Sequence, residues 1–303
     1  MPARHYSIGY SLPNVDDYAL EKLGPALEEA ERYGVDYVEI PLYATDVVAN
    51  GRVLPERLRA VKALTGGRPF GYTMHGPLGL DLMERGAMEA MHRQVLKAHL
   101  DVTAELGGAH LVAHSGRFAE ADGDSPADAL ARQRDALADI ADEAQARGIT
   151  IAVENLFASR PGLEPLLPSE LAAEIAKIGH PAIRACLDFS HGYLESTRRG
   201  ADFVTEAAAL APFAKHLHVH DSFGKLGAFF PHRAERLAYG IGDLHLPFGL
   251  GSIPWDELMS RLAFPSDPIF IYELAPPYWS DLPFCLEKLR ELAARANIGA
   301  AQG

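Results

Sequence analysis

The sequence predicts an α/β protein folded as a closed (β/α)8 TIM barrel. Three observations lead there. Eight short strand-like segments alternate with eight helical ones along the 303 residues. No linker, internal repeat or composition break divides them. Histidines and carboxylates recur where strand segments end, which is where a barrel gathers its functional side chains. An open doubly wound sheet would not bring all eight strand ends to one point. The expectation is a single domain over 1–303, with the barrel at about 5–297 and a short flexible C-terminal tail, NIGAAQG.

HYSIGY (5–10) is short and alternating, a strand pattern. Tyr18, Leu20, Leu23 and Leu27 recur at helical spacing across 16–33, and Gly34 ends that helix. VDYVEIPL (35–42) is the second strand and 55–63 a short helix. PFGYTMHG (69–76) is a third strand ending at His75, followed by a long amphipathic helix over 85–106 that Gly107-Gly108 closes. AHLVAHSG (109–116) ends at His114. The helix over 125–147 opens on a Ser125 cap with Pro126 at its first position. GITIAVENL (148–156) ends at Glu154, and a helix covers 169–178. AIRACLDFS ends at Asp188, with a helix at 201–210. FAKHLHVHD is the seventh strand, and a long loop over 222–253 precedes a helix at 254–262. PIFIYELAP ends at Glu273 and a last helix covers about 281–295.

Composition bounds the function. With 48% hydrophobic and 23% charged residues, the chain is of globular type. Against 41 Asp+Glu stand 28 Lys+Arg, a formal net charge of −13, and no basic block marks a nucleic-acid footprint. Arg52, Arg57 and Arg59 form a modest cluster of the kind usually found on a solvated face. Two cysteines, Cys186 and Cys285, suggest a reducing compartment rather than a disulfide framework. The N-terminal stretch lacks an apolar run of signal-peptide type, and no span approaches the roughly 20 apolar residues of a membrane helix. These features lead to the expectation of a cytoplasmic protein with a small-molecule substrate. The oligomeric state is not legible.

The chemistry concentrates between Arg184 and Trp255. Strand ends carry His75, His114, Glu154, Asp188, His218 and Glu273, and the loops beyond add His191, Asp243 and His245. Any one of these alone reads as a solvated polar residue. Nine imidazoles and carboxylates aimed at one point do not, because such groups cannot share a partly dry pocket without a cation. Imidazole with carboxylate and no thiolate suits Zn2+, and also Mn2+ or Fe2+. His216 and His220 share the inward face with His218 by strand parity. His220 is placed to orient a ligand or meet substrate, and His216 reads as a core histidine. Cys186, two residues before Asp188, reads as a buried small apolar residue. On the long loop, His232 and Arg233 are candidates for substrate binding. Trp255, Trp279, Phe248 and Tyr278 read as aromatic packing.

The order MHGP, VAHSG, VENL, LDFSH, HLHVHD, GDLHLPFGLG, YELAP resembles the xylose isomerase-like TIM barrel superfamily. It covers sugar-phosphate isomerases and epimerases as well as the AP endonuclease family 2. Asp188-x-x-His191 and Asp243-x-His245 are most similar to endonuclease IV, the apurinic-site endonuclease with three zinc ions. That resemblance implies a first ion on His75, His114 and Glu154. It implies a second on Glu154, Asp188, His218 and Glu273, and a third on His191, Asp243 and His245. The activity implied is phosphoester hydrolysis by metal-bound hydroxide. Three divalent ions against four carboxylates leave about +2, which suits an anionic phosphodiester. The DNA-inserting loops of that family have no clear counterpart, so a small phosphodiester is favoured over abasic DNA. The alternative is a sugar or sugar-phosphate isomerase or epimerase with one Mn2+, Mg2+ or Co2+, in which Glu154 and Glu273 move the proton. Glu39, on the second strand, looks more like the sugar isomerases.

Overall fold

Eight parallel strands close into a barrel in chain order. They are β1 (Ser7–Ser11), β2 (Tyr37–Pro41), β3 (Gly71–His75), β4 (Gly108–His114), β5 (Thr150–Glu154), β6 (Ile183–Asp188), β7 (Ala214–Val219) and β8 (Ile269–Tyr272). The computed structural model describes residues 5–13, 20–118, 125–159, 162–227 and 230–299. The barrel and all eight expected strands are as the alternation predicts. The start of the first helix, 16–19, lies outside the described residues, as do 300–303 of the tail. Asn297–Ile298 pairs with Ala263–Phe264, so the tail is tied down further than expected.

Strand parity divides the barrel into two layers of different chemistry. Outward-facing Val38, Ile40, Met74, Leu111, Ile151, Val153, Leu187, Leu217 and Phe270 belong to the large apolar core shared with the helices. Inside the barrel, Val112, Ala152 and Cys186 form a separate small apolar cluster. One step further along the same strands stand His114, Glu154 and Asp188. The register completes the layer: His114 lies opposite Glu154, and Asp188 opposite His218. Cys186 is buried without a disulfide, as its sequence position implies.

The helices are α1 (Leu20–Ala30), α2 (Pro55–Thr65), α3 (Glu89–Glu105), α4 (Pro126–Ala146), α5 (Pro168–Ile178), α6 (Phe189–Arg199), α7 (Phe203–Leu210), α8 (Arg233–Tyr239), α9 (Trp255–Arg261) and α10 (Leu282–Arg295). Ser125 caps α4 by accepting from Asp128 N, with Pro126 at the first position. Two helices were not expected. α6 begins directly after β6, capped by the Asp188 side chain, and ends at Gly200 in the left-handed region. α8 occupies part of the segment expected as loop and ends at Gly240 with φ 65°.

The long β7–α9 connection is held by one carboxylate. Asp221 accepts from the backbone N–H of Ser222, Gly249, Gly251 and Ile253 at 3.0–3.2 Å. Asp221 and Leu246 also exchange backbone hydrogen bonds at 2.9 and 3.0 Å. Gly251 is required here, since a Cβ would strike Asp221 and the Ser222 carbonyl. The clamp fixes the segment that carries Asp243 and His245. Asp221→Ala strips four amides of their acceptor, and a loss of about 2–4 kcal/mol is expected in urea unfolding. A loss below about 0.5 kcal/mol, the size of an ordinary surface substitution, would contradict the clamp.

Candidate metal centre

Each of the nine residues reaches the barrel mouth from a different place in the fold. His75, His114, Glu154 and Asp188 are the last residues of β3, β4, β5 and β6, and His218 is the penultimate residue of β7. Glu273 follows β8, its N–H donating to the Val219 carbonyl at 3.1 Å. The Asp-x-x-His spacing has a local cause. Asp188 is the cap of α6, and its Oδ1 accepts from His191 N at 2.7 Å, which sets His191 three residues into the helix. Asn155 ties the same turn to β5 through both backbone groups of Asp188, at 2.9 Å each. His245 has φ 49°, a left-handed conformation that costs about 1–2 kcal/mol for a residue with a side chain. Its carbonyl accepts from Ala275 N at 2.9 Å, which secures it beside the end of β8.

The tautomers decide what this cluster can hold. Nδ1 of His75 donates to the Gly76 carbonyl and Nδ1 of His114 to the Leu78 carbonyl, each at 2.9 Å. Their bare Nε2 atoms then face Glu154 Oε2 at 3.4 and 3.3 Å, acceptor against acceptor. Glu154 is fully buried, and its Oε2 has no hydrogen-bond partner among the described residues. His218 Nδ1 lies 3.3 Å from Glu154 Oε1, 3.8 Å from Asp188 Oδ2 and 3.7 Å from Glu273 Oε2. Most of these separations are long for hydrogen bonds. Those to Glu154 match the edges of a tetrahedron around one ion, about 3.3–3.6 Å for ligand distances near 2.0–2.2 Å, and those to Asp188 and Glu273 are slightly longer. The donor set therefore fits a divalent cation.

A further grouping lies above the α6 turn. His191 Nε2 is 3.5 Å from Asp243 Oδ2, while its Nδ1 is 3.1 Å from Glu154 Oε1 and 3.1 Å from the Asn155 carbonyl. Asp243 meets His245 Nε2 at 2.7 Å and accepts from Ser190 Oγ at 2.9 Å. His220 is more central than its sequence position suggested. It is fully buried and stacked on His245 at 4.0 Å between ring centroids, with Nε2 3.3 Å from Asp188 Oδ2. His220, Asp243 and His245 bring ligand atoms together, as do His75, His114 and Glu154, and Glu154, Asp188 and His218. The structure thus gathers all nine expected residues and adds His220, whose ring nitrogen lies with the ligand atoms of Asp243 and His245.

His232 is exposed at the start of α8. Arg233 donates to the Leu244 carbonyl at 2.9 Å and lies 5.0 Å over the Tyr278 ring. It braces the segment that holds Asp243 and His245. Of the other aromatics, Phe248 packs on Trp255 and Trp279 on Tyr10, as expected of aromatic packing. Tyr43 and Phe157 were not singled out in the sequence, yet their rings meet His75 and His191 at 5.4 and 4.9 Å. No periodicity points to either, because Tyr43 sits in a single 3-10 turn and Phe157 on an irregular connection.

Electrostatics in the metal-free protein tell the same story. Burial pushes the Glu154 carboxyl up, but His218 and His114 outweigh it and hold it well below the usual carboxylate range. Asp243 behaves alike, lowered by His245, His220 and His191 against its burial. Burial pulls His191 and His218 down, but Asp188 and Asp243 raise the first, and Cys186 with Glu273, Glu39 and Glu154 the second, both well above the ordinary imidazole value. Protons stand where a cation would.

The matched family model is the xylose isomerase-like TIM barrel, over residues 27–294. The chain belongs to this family. Among solved structures it is similar to a D-tagatose 3-epimerase-like protein, with TM-score 0.68, 18% identity, and coverage of 96% of this chain and 98% of that one. A D-allulose 3-epimerase from Methylomonas sp. gives TM-score 0.66 at 17% identity, covering 97% and 99%. An L-ribulose 3-epimerase gives 0.62 at 17%, covering 95% and 93%. No curated protein matches the chain. The family supports an enzyme, and at these identities the structural matches show the shared barrel. No helix among the described residues is long and apolar enough to cross a membrane.

The proton on His245 gives a test. Burial lowers its pKa, but Asp243 and then Glu273 raise it from 6.5 to about 9. A raised histidine stabilises fully below its unfolded value and loses that stabilisation as pH rises through its folded value. Metal-free protein should therefore lose thermal stability between pH 6.5 and about 9. An ion needs the bare rings, so the added stability on supplying zinc should grow over the same window. Thermal unfolding with chelator and with zinc measures both. A zinc-dependent gap that shrinks as pH rises would contradict the assignment.

Proposed function

We propose that this protein is a metal-dependent isomerase or epimerase of a small sugar, using one divalent ion held by Glu154, Asp188, His218 and Glu273. The observation that carries this reading is the convergence of the three carboxylates on His218 Nδ1 at 3.3–3.8 Å. The barrel shared with sugar 3-epimerases supports it. When bound, the ion would polarise a substrate carbonyl and acidify the neighbouring C–H. Glu154 on β5 and Glu273 after β8 approach the mouth from different sides of the barrel. One carboxylate takes the proton from the carbon beside the carbonyl, and the other returns it. One ion against Glu154, Asp188 and Glu273 leaves the site at about −1, suited to a neutral sugar rather than a phosphate anion. Candidate ions are Mn2+, Mg2+, Co2+ and Zn2+. His220, His232 and Arg233 are proposed substrate contacts, with His220 the best placed.

The sequence favoured a three-zinc hydrolase of a small phosphodiester, and one observation keeps that as a second reading. His75 and His114 facing Glu154 Oε2, and Asp243 between His191 and His245, are groupings that a one-ion reaction does not need. The comparisons weigh toward the sugar reading, because two of the solved structures named above are sugar 3-epimerases and the other is epimerase-like.

Elemental analysis of protein purified without added metal or chelator separates the two. About one ion per chain is expected, together with solvent deuterium entering ketoses at the carbon beside the carbonyl. Near three zinc per chain, with phosphodiester cleavage and no exchange into sugars, would establish the hydrolase instead. On the sugar reading, Glu273→Gln should lower kcat about 10²–10⁴-fold, read from the same exchange reaction.

A further inference from the structure

Below the cluster, inside the barrel, lies a carboxylate that neither reading uses. Glu39 on β2 is fully buried. Its Oε1 and Oε2 lie 3.2 and 3.4 Å from His218 Nε2, the second in hydrogen-bond geometry, while Nδ1 of that ring faces Glu154, Asp188 and Glu273. Its Oε2 lies 3.0 Å from His216 Nε2 and accepts from Thr73 Oγ1 at 3.3 Å. His216 is fixed in turn, its Nδ1 meeting His110 Nδ1 at 3.2 Å. The carboxylate is thus held against Thr73 and His216 and turns both oxygens to His218 Nε2, with Oε2 the acceptor in hydrogen-bond geometry and Oε1 in contact.

We infer that Glu39 is the positioning residue for His218: it accepts the Nε2–H and so turns the bare Nδ1 toward the ion. The inference rests on His218 being a metal ligand. A neutral imidazole carries one proton, so whichever nitrogen donates leaves the other as the ligand atom. His75 and His114 are set by backbone carbonyls, through Nδ1. For His218 the opposite nitrogen must hold the proton, and Glu39 is the acceptor found on that side. A carboxylate in this role also makes the ring a better donor to the ion, and removing such a partner typically weakens metal binding 10–100-fold. A long flexible acceptor would not suffice. The bracing by Thr73 and His216 holds the carboxylate where it cannot follow a rotated ring.

Three variants test this by cobalt titration of the chelator-treated protein, followed by visible absorption, with the histidine tautomers of the zinc-loaded protein read by 15N NMR. His218→Ala first checks the ligand assignment, and it should weaken cobalt binding and alter the spectrum. Glu39→Gln keeps the shape and a neutral acceptor, and should weaken cobalt binding about 10-fold. Glu39→Leu should weaken it towards 100-fold and shift the His218 proton from Nε2 to Nδ1. If Glu39→Leu fails to fold, Glu39→Gln decides. A merely structural role would lower thermal stability without moving the cobalt spectrum or the tautomer. Unchanged cobalt affinity and tautomer in Glu39→Gln and Glu39→Leu, with His218→Ala impaired, would overturn the inference alone. Unchanged cobalt binding in His218→Ala would overturn the ligand assignment beneath it.

Discussion

Acceptor facing acceptor in a dry barrel mouth is the constraint on which this molecule turns. Backbone carbonyls take the Nδ1 protons of His75 and His114 and leave their Nε2 lone pairs against Glu154. Such an arrangement repels unless a positive charge sits between the partners. In the metal-free protein Glu154 raises His75 against its burial, while burial keeps His114 lowered, and the carboxylates nearby raise His191 and His218. A divalent ion would supply that positive charge as well, and the donor spacing around Glu154 suits a coordination shell.

The fold supplies this constraint through simple periodicity. One strand step places apolar Val112, Ala152 and Cys186 in the barrel interior, and the next places His114, Glu154 and Asp188 above them. Outward residues pack the helices and carry the stability of the barrel. Local devices then aim the remaining groups. Asp188 caps α6 and so sets His191, while Asp221 gathers the amides of the loop that presents Asp243 and His245. His245 remains in the left-handed region, a cost that the surrounding contacts of Ala275 and Asp243 offset.

Much of this was legible in the sequence because it depends on parity and position. Strands ending in His75, His114, Glu154, Asp188 and Glu273 announce a barrel mouth, and the structure gathers those side chains with His191, His218, Asp243 and His245. What escaped depends on three-dimensional contact. α6 was missed because Asp188 reads as a strand end, and its second role as a helix cap shows only in the hydrogen bond to His191. The burial of His220 against His245, and of Glu39 beneath His218, brings together residues far apart in sequence. Function class was read from ligand count, which favours several ions. The likeness of the whole barrel to those of sugar 3-epimerases is not visible in ligand count alone. Both views rest on the same claim, that the carboxylates and imidazoles at the strand ends share a cation.

Anomalous X-ray diffraction at the zinc and manganese edges, on crystals grown with each ion, tests that claim most directly. The account predicts a peak within about 2.0–2.3 Å of donor atoms from Glu154, Asp188, His218 and Glu273. Further peaks beside His75 and His114, or beside Asp243 and His245, would count the ions. Ordered side chains with no anomalous peak in the barrel mouth, or an ion bound only elsewhere, would contradict it.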